Sequence, residues 1–367
     1  MVLEELRIEN LRNIKTAILF PGKKFNLIYG PNGSGKTSLL EAIYLLSTAK
    51  SFRTSKSYKI INQEADLCNV FGIVTDSASQ QKYRLGVQKA KKNTEVRIEG
   101  QKQQNVIQLA KNFPQIVITP NSHQLLEAGP QWRRKFFDWG VFHVKHSFGE
   151  NWQHYNRALK QRNVLLHQGQ QNTEWLRQIE LWNDQLCQFA QSVTEDRKAY
   201  LELLKPYLAK YVTNFIQAGE VELEFKSGIP KGKTLAELLK NNIARDQALG
   251  RTEYGPHRWD VSIKFNGREA NQSVSRGQQK LIIYALSLAQ LKVYAKGLES
   301  DATLLIDDLS AELDDEHTRL LIKALDQEFG QVFITTANLD TLPLEDMSEK
   351  EVFHVEHGEF NLVTTGR

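Results

Sequence analysis

Cysteine and long apolar runs are scarce in this sequence, and each absence excludes a class of protein. Cys68 and Cys187 are the only cysteines in 367 residues, so we expect neither a disulfide framework nor a thiolate metal site. No run of eighteen apolar residues occurs, and the first residues include acids where a signal peptide needs a basic and then an apolar segment. These features predict a cytoplasmic protein that has no membrane partner.

The overall charge is close to balance. A formal net charge of +4 and a pI of about 8.8 permit an anionic partner without requiring one. The length of 367 residues with 41% hydrophobic content predicts more than one lobe, roughly two by the usual domain size.

A glycine-rich loop stands between a predicted strand and a predicted helix. The strand covers residues 25–29, the loop reads Gly30-Pro-Asn-Gly-Ser-Gly-Lys-Thr37, and an apolar stretch at helical spacing follows. This order is typical of a phosphate-binding loop, whose backbone amides and helix start face one anion. Lys36 is expected to reach the outer phosphates and Thr37 to ligate Mg²⁺. The predicted nucleotide contacts are Gly30, Pro31, Asn32, Gly33, Ser34, Gly35, Lys36, Thr37 and Ser38.

Two acids follow a second apolar run, residues 303–306. A carboxylate at the end of a buried parallel strand is the usual partner of a phosphate loop, so we expect Asp307 to hold Mg²⁺ and Asp308 to orient the attacking water. Alone, two such acids could equally be a turn and a helix cap. With the loop present, the metal interpretation is favoured, and the chain is predicted to bind ATP and Mg²⁺.

The stretch Ser275-Arg-Gly-Gln-Gln-Lys280 resembles the signature of ATP-binding-cassette ATPases, and residues 311–314 resemble the segment that crosses between two nucleotide sites in that superfamily. The resemblance implies that Ser275, Gly277 and Gln278 contact the nucleotide held by a second copy. A hydroxyl, an amide and a helix start suit a γ-phosphate. We therefore expect ATP to drive formation of a homodimer.

More than two hundred residues separate the phosphate loop from this signature. The stretch 131–216 is strongly helical in pattern, and an aromatic and aliphatic stripe predicts two helices joined by a polar break at residues 168–172. The sequence therefore predicts a discontinuous ATPase lobe, residues 1–125 with 245–367, and an inserted helical lobe, residues 126–244. We expect a strand over residues 261–265, turning at Asn266-Gly267, at the edge of the ATPase lobe.

Several stretches together resemble the RecF family of bacterial recombination mediators, over nearly the whole chain. They are Asn10-Leu-Arg-Asn13, Lys50-Ser-Phe-Arg-Thr54, Gly129-Pro130, Arg133-Arg134, Phe137-Asp138, Gly255-Pro-His-Arg258, the phosphate loop, the signature and residues 305–314. The resemblance implies an α/β fold, namely a cassette-type ATPase lobe with an antiparallel β subdomain and an inserted short helical arm. It also implies an ATPase that dimerises on ATP, binds duplex DNA and single-strand/double-strand junctions, and works with RecO and RecR to place RecA on single strands. Arg12 and Arg53 lie where relatives bring cations to the nucleotide.

The sequence departs from many cassette ATPases at two positions near the γ-phosphate. Thr335 and Thr336 follow a predicted strand where those enzymes often place a histidine, and Asp308 is one methylene shorter than the usual glutamate. A hydroxyl cannot accept a proton as imidazole can, so we expect slow hydrolysis. Two rival functions stay open: an architectural DNA clamp that binds ATP without cleaving it, and a small-molecule kinase.

Three basic stretches compete for DNA. Residues 81–111 contain eight cations and two acids, and their alternation predicts a hairpin with Lys89, Lys91 and Lys92 at its tip. Trp132-Arg-Arg-Lys135 and a helix with Arg157, Lys160 and Arg162 are the other two. A charge run is more often a solvated face than a binding surface, and the sequence does not choose among the three.

Overall fold

A computed structural model describes residues 1–169, 172–216 and 219–363. The chain forms two compact units. The first comprises Met1–Ser122 and the described residues from Arg276 onwards, and the second comprises His123–Ser275 with its described residues.

The helices are α1 (Lys36–Thr48), α2 (Ile107–Asn112), α3 (Gln124–Glu127), α4 (Pro130–Val144), α5 (Phe148–Gln168), α6 (Thr173–Phe215), α7 (Leu235–Asn241), α8 (Ile243–Leu249), α9 (Ala270–Ser273), α10 (Arg276–Leu298), α11 (Leu309–Glu312) and α12 (Asp315–Glu328).

The strands are β1 (Val2–Leu11), β2 (Ile14–Leu19), β3 (Phe25–Tyr29), β4 (Leu67–Thr75), β5 (Lys82–Ala90), β6 (Thr94–Ile98), β7 (Gln101–Lys102), β8 (Gln115–Ile118), β9 (Val221–Lys226), β10 (Asp260–Phe265), β11 (Arg268–Glu269), β12 (Thr303–Ile306), β13 (Val332–Thr336), β14 (Lys350–Glu356) and β15 (Glu359–Val363).

Two six-stranded sheets form the first unit. One is antiparallel, in the order β2-β1-β4-β5-β6-β7. The other is in the order β15-β14-β3-β13-β12-β8, in which β15 alone runs antiparallel to its neighbour. Because β3, β12 and β13 are parallel, their carboxyl ends meet at the same edge, where a ligand site is expected in an open α/β sheet.

Helix α1 lies in the core that these two sheets share. It contacts β1, β4 and β5 of one sheet and β8 and β13 of the other. Almost every residue of α1 is buried, and Leu39, Leu40, Ile43 and Leu46 are at most 1% exposed. A helix that is buried all round has its position fixed by packing, so the loop that precedes α1 is held rigidly too.

Helix α10 is the second long core element of the first unit. It is long and apolar enough that, by length and composition alone, it could cross a membrane. However, 72% of its eighteen-residue apolar stretch is buried inside the protein, as is typical of the core helix of a globular domain.

The second unit is built on a helical hairpin and a small sheet. Helices α5 and α6 pack on each other along the predicted stripe, in which Trp175, Ile179 and Leu186 are buried. The predicted break at 168–172 includes Gln170 and Gln171, which lie outside the described residues. Strand β10 pairs with β9 and β11 in this unit. The expectation that residues 261–265 edge the ATPase lobe was therefore wrong.

Residues 245–275, which the sequence analysis placed in the ATPase lobe, fall in the second unit. The physical reason is a buried arginine. Arg162 on α5 is fully buried and donates to Asp246 at 2.7 Å and to Thr252 at 2.7 Å. The backbone hydrogen bonds between β10 and β9 add a second link. Residues 245–275 therefore cannot separate from the rest of the second unit without leaving polar groups unpaired.

A second buried arginine connects two of the stretches that resemble the RecF family. Arg197 on α6 donates two hydrogen bonds to Asp138, at 2.8 and 2.9 Å, and one to the Pro256 carbonyl at 2.7 Å. Its guanidinium carbon lies 4.4 Å from the centre of the Trp259 ring. Asp138 and Pro256 therefore have a structural role in the second unit.

His257 also has a structural role in the second unit. It is half-buried, accepts a hydrogen bond from Tyr155 at 2.8 Å and donates to the Thr252 carbonyl at 3.0 Å. Burial lowers the pKa of His257 to about 4, so the ring is neutral at pH 7 and suits these two bonds.

Replacing Asp138 by Ala leaves the Arg197 charge buried without its partner. We expect the free energy of unfolding to fall by about 3 kcal/mol, as for other broken buried ion pairs. Denaturant unfolding checks this, with Glu202→Ala in the exposed Lys205–Glu202 pair of the same unit as control; that variant should show no measurable loss. Equal stability of the two variants would contradict a structural role for the Asp138–Arg197 ion pair.

Candidate functional site

The glycine-rich loop connects the end of β3 to the start of α1, as predicted. Residues 30–35 form the turn, and the helix begins at Lys36. A Cβ atom on Gly30 would lie 2.2 Å from the Val355 carbonyl oxygen, so no larger residue fits there. Gly35 has a φ of 124°, a conformation that residues with a side chain rarely adopt. The loop geometry thus depends on these two glycines.

Lys36 is buried within this loop. Its ammonium donates to the carbonyls of Gly30, at 2.6 Å, and of Pro31, at 3.0 Å. Burial lowers the pKa of Lys36, although the carboxylates of Asp308 and Asp307 act in the opposite direction. The charge on Lys36 is therefore only partly compensated by the protein, and a bound anion would favour it.

Asp307 joins the loop to the end of β12. One of its oxygens, Oδ1, accepts hydrogen bonds from the hydroxyls of Thr37, at 2.8 Å, and Thr335, at 2.9 Å. Burial raises the pKa of Asp307, while these hydrogen bonds act against the rise. A hydroxyl and a carboxylate this close are the oxygen ligands that Mg²⁺ accepts, with water and phosphate oxygens completing its shell.

Asp308 follows with a φ of 58°, which is uncommon for a residue with a side chain. Its amide donates to the Thr335 hydroxyl at 2.8 Å. Thr335 therefore both donates to Asp307 and accepts from Asp308, and it holds the two acids in a fixed relation. Thr335 stands where many cassette ATPases place a histidine, and here its hydroxyl holds the two acids in place.

A cavity of about 660 Å³ opens beside these groups, a size suited to a nucleotide. It is lined by residues of the phosphate loop and α1, by Asp307, Asp308 and Thr335, and by the turn after β1, Arg53 and the stretch 59–64. The lining residues are Arg12, Asn13, Asn32, Gly33, Gly35, Lys36, Thr37, Ser38, Arg53, Lys59, Ile61, Asn62, Gln63, Glu64, Asp307, Asp308 and Thr335.

Most of the predicted nucleotide contacts line this cavity. Gly30, Pro31 and Ser34 are not among the lining residues; Gly30 and Pro31 instead hold Lys36 through their carbonyls, and Ser34 is buried. The Ser34 hydroxyl is buried without a hydrogen-bond partner among the described residues.

Asn13 holds the loop from the outside, and the sequence analysis gave it no role. Its side-chain amide donates to the Ser34 carbonyl at 2.9 Å, and its oxygen accepts from the Ser38 hydroxyl at 3.1 Å. The amide of Gly358, in the turn between β14 and β15, donates to the same Ser34 carbonyl at 2.8 Å. The loop is therefore tied to both sheets.

Glu41 is the other residue that sequence reasoning missed. It lies on α1, is fully buried, and pairs with Arg12 at 2.8 Å and with Arg53 at 3.8 Å. A signal was present: a glutamate within the apolar stretch of residues 38–46 has to find a partner when the helix is buried.

The signature stretch lies at the start of α10. The helix begins at Arg276, and Ser275, Arg276 and Gly277 are exposed. Gly277 and Gln278 are not among the lining residues of the cavity in the part of the chain that the structure describes. Lys280 donates to the Ala311 carbonyl at 3.2 Å and pairs with Glu312 at 3.3 Å. The signature helix and the segment 311–314 are thus linked within one chain.

The predicted basic hairpin is formed by β5 and β6, with Lys91 and Lys92 exposed in its turn. Lys89 is a correction: it is 6% exposed and donates to Thr94 at 2.8 Å, because alternate residues of a strand face the core. Lys91 pairs with Asp66 at 3.1 Å. Neighbouring acids also pair with Lys82, Arg97 and Lys102.

In the other two basic stretches, residues 132–135 and helix α5, some arginines are likewise paired within the fold. Arg133 pairs with Asp260 at 2.8 Å, and Arg134 donates to the Trp259 carbonyl at 3.0 Å. Arg162 is the fully buried partner of Asp246. Arg157 and Lys160 remain exposed on α5. Several arginines that appeared available in the sequence therefore stabilise the fold.

The chain is similar to known proteins over nearly its whole length. Residues 2–360 match the family model described as RecF/RecN/SMC N terminal domain. A DNA replication and repair protein RecF from Shewanella baltica (strain OS223) is 38% identical over 367 residues, which cover 99% of this chain and 100% of that protein.

Solved structures give the same result. A structure of the recombination mediator protein RecF with ATP in the RecFOR pathway has a TM-score of 0.87, with 26% identity and coverage of 99% of this chain and 98% of that chain. The Smc head domain from Pyrococcus furiosus has a TM-score of 0.60 at 13% identity, covering 99% and 96%. This second likeness concerns the fold alone, and with the first it confirms the predicted cassette-type α/β fold. The chain belongs to the RecF family of DNA replication and repair proteins.

Proposed function

We propose that this protein is an ATP-dependent DNA-binding protein of recombinational repair, which dimerises on ATP and resets by slow hydrolysis. The observation that carries the proposal is the meeting of Lys36, Thr37, Asp307 and Asp308 at one cavity of nucleotide size. The ATP-containing structure of a RecF protein supports ATP as the nucleotide.

The cavity suits a triphosphate chemically. Lys36 and the amides of the loop offer positive charge and hydrogen bonds to the phosphates, and the start of α1 adds its positive end. Thr37 and Asp307 would hold Mg²⁺, which when bound neutralises phosphate charge. Arg12 and Arg53 supply two further cations in the lining of the cavity. Burial disfavours the charged forms of Lys36 and Asp307, and an arriving anion and cation would reverse both effects.

We infer that a second chain completes the nucleotide site. The exposed start of α10 offers the Ser275 hydroxyl, the Gly277 amide and the positive end of a 23-residue helix, but Gly277 and Gln278 do not line the cavity of the same chain in its described part. A second copy could supply this helix start to the nucleotide, and ATP would then hold two chains together. The contacts of Lys280 with Ala311 and Glu312 would link the signature helix to the segment 311–314, which is expected to cross between the two nucleotide sites.

Slow hydrolysis follows from the groups near the phosphates. Thr335 uses its hydroxyl to hold Asp307 and Asp308, and a hydroxyl is a much weaker base than imidazole. Asp308 would then orient the water. The absence of a histidine at position 335 also favours a second candidate function, a DNA clamp that binds ATP without cleaving it. A small-molecule kinase would need neither the signature helix nor a second copy.

In the cell we place this activity in the cytoplasm, at junctions between single-stranded and duplex DNA. By family membership the protein partners are RecR and RecO, with RecA as the protein placed on single strands. Phosphate contacts from exposed lysines would give affinity without base specificity. Lys91 and Lys92 in the β5–β6 turn are the exposed cations of the hairpin tip.

Molecular mass in solution tests the central claim. We expect a monomer without nucleotide, a dimer with ATP, and a heavier complex when gapped DNA is added. Ser275→Arg places a bulky cation at the exposed start of α10, so this variant should bind ATP as a monomer and fail to dimerise. Light scattering and ATP titration measure the two steps separately. A monomer under every condition would remove the proposal.

Asp308→Asn distinguishes a hydrolysing protein from a passive clamp. If hydrolysis resets the dimer, the variant should keep ATP bound and accumulate as a dimer that decays at least about tenfold more slowly, because the water-orienting carboxylate is lost. Dimer lifetime after removal of free ATP is the measurement. A lifetime equal to that of the unmodified protein would favour the passive clamp, and fast turnover without DNA would exclude slow hydrolysis.

Reversing charge at the hairpin tip tests the DNA surface. Lys91→Glu with Lys92→Glu should weaken duplex binding and reduce the slope of log affinity against log salt by about 2, one for each lost phosphate contact. The matched control is Lys231→Glu with Lys233→Glu, two exposed lysines of the second unit. Equal effects of the two double variants would point to net charge rather than to the hairpin.

A further inference from the structure

Glu41 is an unusual residue for the middle of a buried helix. It is 0% exposed on α1, which is otherwise packed by apolar side chains between the two sheets. A carboxylate in such a place is costly unless its oxygens are fully hydrogen-bonded to cations or donors. The partners of Glu41 therefore indicate what its charge does.

Arg12 satisfies most of this charge. Its Nε donates to Oε2 of Glu41 at 2.8 Å, and its Nη2 donates to Oε1 at 2.8 Å. This two-bond geometry sets the plane of the guanidinium as well as its position. The Ser51 hydroxyl also donates to Oε1.

The third nitrogen of Arg12 is also engaged. Nη1 donates to the carbonyl of Lys59, at the start of the stretch 59–64 that also lines the cavity. The backbone of Arg12 adds two bonds to the same stretch, to the Ile60 carbonyl at 2.8 Å and from the Asn62 side chain at 2.7 Å. Arg12 is therefore fixed at every nitrogen while it lines the cavity.

Arg53 differs from Arg12 although both reach the same carboxylate. Its Nη1 lies 3.8 Å from Oε2 of Glu41, beyond hydrogen-bond distance, and its side chain is 45% exposed against 20% for Arg12. One carboxylate faces two guanidiniums, so one positive charge is left over on this wall of the cavity. Arg53 is the cation free to move.

We propose that Glu41 is a positioning residue of the nucleotide site: it fixes Arg12 in the cavity wall and leaves Arg53 as the mobile cation that moves to the nucleotide phosphates. The inference rests on the proposed binding of ATP in this cavity. The two arginines then contact the nucleotide independently, whereas Glu41 acts only through Arg12.

Double-mutant cycles on the full-length protein test this directly, with ATP affinity from calorimetric titration. Glu41→Gln keeps the shape but presents an amide to the guanidinium, so Arg12 is released and ATP binding should weaken roughly tenfold or more. Arg12→Gln should show a similar loss. The double variant should lose no more than either single one, because Glu41 acts through Arg12.

Arg53→Gln should also weaken ATP binding, and its loss should add to that of Arg12→Gln because the two side chains act separately. Additive losses for Glu41→Gln with Arg12→Gln would overturn the positioning role. Non-additive losses for the two arginines would overturn the independence of Arg53.

A variant that replaces both charges separates positioning from stability. Arg12→Met with Glu41→Met removes the ion pair and fills the space with apolar atoms, so thermal stability should return to that of the unmodified protein or exceed it. ATP affinity should stay low. If affinity returns together with stability, the pair is only structural and the proposal fails.

Two controls make the outcomes distinguishable. Asp138→Ala breaks a buried ion pair in the second unit and should lower the melting temperature without changing ATP affinity measured well below it. Lys36→Ala should abolish ATP binding. If the unmodified protein binds no ATP, the proposed function fails. If it binds ATP and Glu41→Gln binds equally well, only the role of Glu41 fails.

Discussion

The hydrogen bond from Thr37 to Asp307 joins segments 270 residues apart in the chain, and the candidate site depends on it. Thr37 belongs to the first turn of α1, and Asp307 stands directly after β12. The bond exists only because α1 is buried between two sheets and because β12 runs parallel to β13 and β8 in the second of them. Packing of α1 therefore determines the distance between the loop and the acids.

The site contains three buried charges, and each is balanced differently. Lys36 is held by loop carbonyls, Asp307 by two hydroxyls, and Glu41 by a guanidinium. Carbonyls and hydroxyls stabilise a charge only in part, so Lys36 and Asp307 remain suited to a charged ligand and its cation. The charge of Glu41 is compensated by Arg12 and needs no ligand. This contrast separates Glu41, which positions Arg12, from the groups that would contact the nucleotide and its cation.

Charge in the sequence was a poor guide to the binding surface. Lys89, Arg133 and Arg162 belong to the three basic stretches, yet the structure uses them to stabilise strands and helices. Long basic side chains find carbonyls and acids from distant segments, and linear order does not reveal those partners. Exposed residues such as Lys92 in the hairpin turn and Arg157 and Lys160 on α5 keep the open character that the sequence suggested for whole stretches.

Local sequence determined the strand, loop and helix of the phosphate site, because glycine placement and apolar spacing act over a few residues. It also determined the helical hairpin of α5 and α6. The junction near residue 275, the role of Glu41 and the second role of Thr335 were decided by tertiary structure. Each rests on a contact between distant segments: Arg162 with Asp246, Glu41 with Arg12, and Thr335 with Asp307. Sequence periodicity identifies which residues are buried, but only the packed fold decides which buried polar groups meet.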